Sequence, residues 1–108
     1  MNSIFDLYWM YQVREIFKAA ERGDVEELEA YKAAGGDINA WEPVNKLSLF
    51  QIALLMHNIE FARTVATSEG FNPFHVDAFG RSALDIAHET GNSTLENLVM
   101  DHLRLDGD

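Results

Sequence analysis

Four histidines, His57, His75, His88 and His102, are the residues of this chain best suited to proton transfer or metal binding. No two of them are four residues apart, so no helix face carries the paired imidazoles of a zinc site. The run His88-Glu89-Thr90-Gly91-Asn92 begins like H-E-x-x-H but has no second histidine. The chain has no cysteine, which removes disulfides, thiolate catalysis and Cys-ligated zinc together. Glu26, Glu27 and Glu29 form an acidic run that reads as a solvated helix face rather than a catalytic carboxylate pair. Arg14, Lys18 and Arg22 recur every fourth residue, a short basic stripe that pairs with nearby acids or, as a weaker reading, holds an anion. No glycine-rich phosphate loop occurs. The expected chemistry is therefore recognition, with no enzyme activity, no metal and no cofactor.

The formal net charge is −10 over 108 residues. That charge repels phosphates and argues against direct DNA or RNA binding. It serves solubility alone, or it steers association with a basic protein partner. At 47% hydrophobic residues and only 2 prolines, the chain can bury a core, and its length fits one domain over 1–108. No apolar run approaches the roughly 18 residues that cross a bilayer. The aromatic start, Ile4-Phe5-Asp6-Leu7-Tyr8-Trp9-Met10-Tyr11, lacks the basic flank and cleavage site of a secretion signal. A cytoplasmic protein without a membrane segment is expected, and the Asn92-Ser93-Thr94 glycosylation triplet is read as chance.

The elements that must position any surface are helical. Ser3 with Asp6 resembles a capping box, and apolar residues at helical spacing run from Ile4 to Phe17, so the pattern predicts a helix from about Ser3 to Arg22. Gly23 stops it and Asp24 caps the next, which buries Val25, Leu28 and Tyr31 and ends at Gly35-Gly36. Pro43 and Asn45 mark a projecting turn or short hairpin. Ser48 caps a helix over Leu49 to Met56, His57-Asn58 breaks it, and a further helix turns Ile59, Ala62, Val65 and Ala66 inward. A second turn spans Phe74 to Arg81, followed by helices over Ser82 to Thr90 and Ser93 to about Leu103. No strand run appears, so the fold class is all-α with β-turns.

Ala19, Ala53 and Ala87 stand 34 residues apart in matching frames. A fixed period of this length marks a repeat protein whose helix pairs stack to bury a shared core. The stretch Gly70-Phe71-Asn72-Pro73-Phe74-His75-Val76-Asp77-Ala78-Phe79-Gly80-Arg81-Ser82-Ala83-Leu84-Asp85-Ile86-Ala87 resembles the ankyrin-repeat pattern G-A-D-P-N-A-x-D-x-x-G-x-T-P-L-H-x-A. Gly35-Gly36-Asp37-Ile38-Asn39-Ala40 is similar to that family's G-A-D-V-N-A junction, and the resemblance covers about residues 13–103. The chain departs in its period of 34 rather than 33, in lacking the Pro and His of Thr-Pro-Leu-His, and in His57 at a usual glycine.

The resemblance implies an ankyrin-repeat solenoid of stacked helix-turn-helix units with projecting β-turn loops. A capping helix would occupy about 3–12, and the repeats about 13–46, 47–80 and 81–105. Inner helices and projecting turns would form a concave face that binds another protein. Allowing one inserted residue in the first turn, the family's contact positions fall on Trp41, Pro43, Val44 and Leu47, then on Ala78, Phe79 and Arg81. At the inner-helix ends they fall on Glu21 and Arg22, Leu55 and Met56, and Glu89 and Thr90. Trp41, Val44, Leu55, Met56 and Phe79 are then expected to form one apolar patch, with Glu42, Asp77 and Glu89 as an acidic rim. The rival placement folds Trp41 or Phe79 back on the neighbouring turn and packs Leu55 between helices. The N-terminal aromatics would cover the open end of the stack, or alternatively support weak self-association of an otherwise monomeric chain. Two functions follow. One is a stand-alone inhibitor or adaptor binding one protein partner. The other is an acidic nucleic-acid mimic, such as an immunity protein, that blocks a basic nuclease or nucleic-acid-binding protein.

Overall fold

A computed structural model describes residues 14–103. The expected capping helix over 3–12 lies outside the described residues. Six helices follow in chain order: α1 over 14–22 as far as described, α2 Val25–Ala33, α3 Leu49–Leu55, α4 Ile59–Ala66, α5 Ala83–Thr90 and α6 Ser93–Leu103. Among the described residues there is no strand, and the sole extended pairing is one antiparallel bridge between Trp41 and Ser48. The all-helical class is as expected.

Side chains that compete with the backbone start α2, α3, α5 and α6. Asp24 accepts from the Glu27 backbone N–H and starts α2, with Glu26 and Glu27 in the positive first turn. Ser48 and Gln51 form a reciprocal capping box at α3, and Ser82 and Asp85 do the same at α5. Helix α3 ends one residue earlier than its expected span, with Met56 as its C-cap, and Ser82 caps α5 from outside.

The helices lie in two layers. In one, α3 packs on α5; in the other, α4 packs on both α2 and α6. Within each pair α3 meets α4 and α5 meets α6. Ala19, Ala53 and Ala87 are all fully buried, as are Leu28, Leu54, Phe61, Ile86 and Leu95 around them. A methyl group is the largest side chain at these three positions, and it lets helix backbones approach closely. Phe61, absent from the inward face expected for α4, is fully buried beside Ala62 and Val65.

The tight turns repeat in geometry as well as spacing. Gly23, His57 and Gly91 have φ of +75°, +59° and +68°. The next residues, Asp24, Asn58 and Asn92, begin α2, α4 and α6. Asn58 leaves its own helix uncapped and instead donates from Nδ2 to the carbonyls of Ala20 and Glu21, at 2.8 and 3.0 Å. Those carbonyls belong to the last turn of α1, where intrahelical donors run out.

The 34-residue spacing arises differently in its two halves. Gly35 follows Ala19 by 16 residues, but Gly70 follows Ala53 by 17. Ser48 then follows Gly35 by 13 residues, while Ser82 follows Gly70 by 12. The first interval therefore carries its extra residue in the projecting loop, and the second carries it just after α4. The first loop closes from the Glu42 N–H to the Leu47 carbonyl, and the second from the Asp77 N–H to the Arg81 carbonyl, one residue tighter.

Because a Cβ on Gly23 would lie 2.8 Å from Asn58 Cγ at a left-handed φ, Gly23→Ala is expected to cost about 2 kcal/mol or more. His57→Gly relieves the same backbone strain without a clash and is expected to gain a few tenths to about 1 kcal/mol. Urea midpoints followed by far-UV circular dichroism measure both.

Candidate functional site

Each projecting loop is held from inside by its first acid. The Glu42 carboxylate accepts from the backbone N–H groups of Val44 at 2.7 Å, Asn45 at 2.9 Å and Leu47 at 3.1 Å. The Asp77 carboxylate accepts from the N–H groups of Phe79 and Arg81, both at 2.9 Å, and from Arg81 Nε at 2.8 Å. The longer side chain serves the longer loop. Neither acid stands on an outward rim, and the Asp77 side chain is wholly buried. The expected acidic rim is corrected accordingly: a carboxylate inside a tight loop is satisfied by orphan backbone N–H groups, not by a partner.

Burial alone would raise the Asp77 carboxyl, but the Arg81 and Phe79 donors outweigh it and hold it below the usual aspartate range. Arg81 is held above its ordinary value chiefly by that same hydrogen bond to Asp77. Its second contact runs from a terminal guanidinium nitrogen to Glu89 Oε1 at 2.9 Å, and its guanidinium carbon stands 5.6 Å from the Phe79 ring centroid. Of the three rim acids only Glu89 stays exposed, and it is paired with Arg81.

Between α1, the first loop and α3 lies a groove of about 350 Å³. Leu47, Leu55 and Met56 line it, together with Phe17, Ile52 and the carboxylate side of Glu42. Lys18 and Glu21 stand at its edge on α1. Leu47 and Leu55 are half-buried against the core, and Met56 is 52% exposed. Among the described residues Val44 and Phe79 are the most exposed large apolar side chains, and the two loops are joined where Ala78 N–H donates to the Asn45 carbonyl at 2.8 Å. Leu47, Leu55 and Met56 are thus brought together.

Trp41 is not among them. Its ring stacks on His75 with centroids 6.0 Å apart, lined up along a separate hollow. Trp41 and Glu42 are consecutive in a short extended segment, and such neighbours point to opposite sides. Trp41 and the groove residues therefore line two separate surfaces, and the Trp41 ring lies against His75 of the second loop while remaining 48% exposed. His75 fixes this arrangement by donating from Nε2 to the Lys46 carbonyl at 2.7 Å.

Gln51 was not singled out from the sequence. Its buried amide accepts from the Ser48 N–H and donates to the carbonyls of His75 and Arg81 at 3.1 and 3.2 Å. It ties the start of α3 to the second loop. The signal was present: a glutamine in an otherwise apolar run, Leu49-Phe50-Gln51-Ile52-Ala53-Leu54, needs partners for both ends of its amide.

No family model matches the chain, and no curated protein matches it.

Asp77→Ala is expected to cost about 2–3 kcal/mol, since three donors lose their acceptor. The Asp77 carboxyl is depressed in the folded state. Its contribution is therefore complete above about pH 4, the unfolded value, and is lost as pH falls through the folded value. The acid limb of a stability-versus-pH profile is expected to be shallower in the variant.

Proposed function

We propose that this chain is a non-enzymatic protein-binding module of the ankyrin-repeat type, which takes a partner segment along the groove between α1, the first loop and α3. The observation that carries the reading is the groove itself. Phe17, Ile52, Leu55 and Met56 leave apolar surface open beside two rigid elements and one internally braced loop. Concave, mostly apolar surfaces with a few charged groups at the edge are where ligands and partner side chains are buried.

The repeat reading is supported by recurrence. A left-handed turn, an Asp or Asn at the start of the second helix and a buried alanine each return at 34-residue intervals. Removing the one extra residue of each interval leaves 33, the length of an ankyrin repeat. The polar bridges from Asn39 to Gly70, from Gln51 to Arg81 and from Asn58 to Ala20 each join one unit to its neighbour, as a stack of units requires.

The acidic-mimic alternative has less behind it. It needs carboxylates displayed in place of phosphates, and Glu42 and Asp77 direct theirs into their own loops. The inhibitor and adaptor roles remain forms of the same binding.

The test is affinity capture from the source cell with the whole chain as bait, comparing Met56→Glu with Met100→Glu. Both methionines are about half exposed, but only Met56 lines the groove. A partner retained by Met100→Glu and lost by at least tenfold with Met56→Glu is expected. Equal capture by both variants overturns the groove as the binding face. Capture that collapses between low and high salt in the native chain would instead favour the acidic alternative.

A further inference from the structure

The hollow beside Trp41 has walls of a different chemistry from the groove. It holds about 240 Å³ and is bounded by Trp41, His75, Phe71, Phe50, Asp37 and Asn39. Phe50 and Phe71 meet edge to face with centroids 4.8 Å apart, and Phe71 is partly buried against the core. Neither lysine nor arginine lines the hollow.

Most of its polar groups already have internal work. Asn39 donates from Nδ2 to the Gly70 carbonyl and accepts at Oδ1 from the Asn72 N–H, both at 2.8 Å. His75 is committed through Nε2 to Lys46. The carboxylate of Asp37 is different. Its Oδ1 accepts from the Asn39 N–H at 2.8 Å, while Oδ2 makes no hydrogen bond among the described residues. The hollow is therefore lined by aromatic side chains and by Asp37, a carboxylate with one oxygen free of hydrogen bonds among the described residues.

We propose that this hollow receives the ammonium group of a lysine side chain on a partner protein. Aromatic faces attract a cation through their quadrupole, and a carboxylate adds a charge-assisted hydrogen bond. The Trp41 ring already meets one ammonium of its own chain: Lys46 Nζ stands 5.8 Å from the ring centroid, although Lys46 does not line the hollow. A compact ammonium suits the site better than a guanidinium. Arginine binds carboxylate best through two oxygens, and Asp37 has one free. The net charge of −10 adds long-range attraction for a basic segment. This site is separate from the groove and stands or falls independently of it.

The test uses the full chain labelled with ¹⁵N, titrated at constant ionic strength with N-acetyl-lysine amide. N-acetyl-norleucine amide, which keeps the four-carbon stem and lacks the ammonium, and N-acetyl-arginine amide are run in parallel. Saturable movement of the Trp41 indole N–H and the Asn39 amide is expected with the lysine compound only. Asp37→Asn keeps the acceptor for the Asn39 N–H and is expected to weaken binding at least threefold. Trp41→Leu is expected to abolish it, and Met56→Glu to leave it unchanged. Equal shifts from norleucine, tighter binding of arginine, or an affinity unaltered in Asp37→Asn overturns the proposal.

Discussion

Helix layers in this protein approach closely enough for the side chain of one turn to reach the backbone of the next unit, and the rest of the structure depends on that approach. Ala19, Ala53 and Ala87 make it possible, because each is fully buried where a larger residue would hold the helices apart. Asn58 then reaches the Ala20 and Glu21 carbonyls and lies against Gly23. Those contacts satisfy two carbonyls at the end of α1 and tie α4 to it. The groove lies where Phe17 of α1 meets Ile52 and Leu55 of α3.

The loops are braced by a similar exchange of side chain for backbone. A projecting loop has few ladder hydrogen bonds, so its N–H groups need other acceptors. Glu42 and Asp77 provide them, and the acid side chain is longer where the loop has one more residue. This has an electrostatic consequence. A strongly acidic chain does not necessarily present an acidic binding face, because its carboxylates can be drawn inward. What the loops display instead is apolar: Val44 on the first and Phe79 on the second, the latter backed by an arginine already held by two acids.

Helix boundaries were legible in the sequence because each rests on a local signal, a cap such as Asp24, Ser48 or Ser82, or a stop such as Gly23. Leu47, Leu55 and Met56, which the expected repeat register assigns to one face, line one groove. Two things were less legible. Glu42 and Asp77 look like surface acids in sequence, since nothing in their residue type distinguishes a carboxylate facing solvent from one facing the backbone. The partners of Gln51 lie 24 and 30 residues away, and only the tertiary fold brings them near. Local signals fix elements, while a buried polar group is explained only by what the tertiary fold sets against it.

The division between Trp41 and Glu42 follows from the same reasoning. The bridge from Trp41 to Ser48 and the bond from Glu42 to Leu47 make this short stretch extended, the hairpin form of the expected turn or short hairpin. Once extended, its side chains must alternate, and one turns to the groove while the other turns to the hollow. Glu42 takes the groove side, with its carboxylate on the loop N–H groups. Trp41 is left on the far side, where His75 stacks on it and Phe71 forms the next wall. Placing the acid at position 41 and the tryptophan at 42 would reverse this, exposing the loop N–H groups and filling the groove with indole. The order of these two residues therefore sets which surface is open apolar groove and which is aromatic hollow.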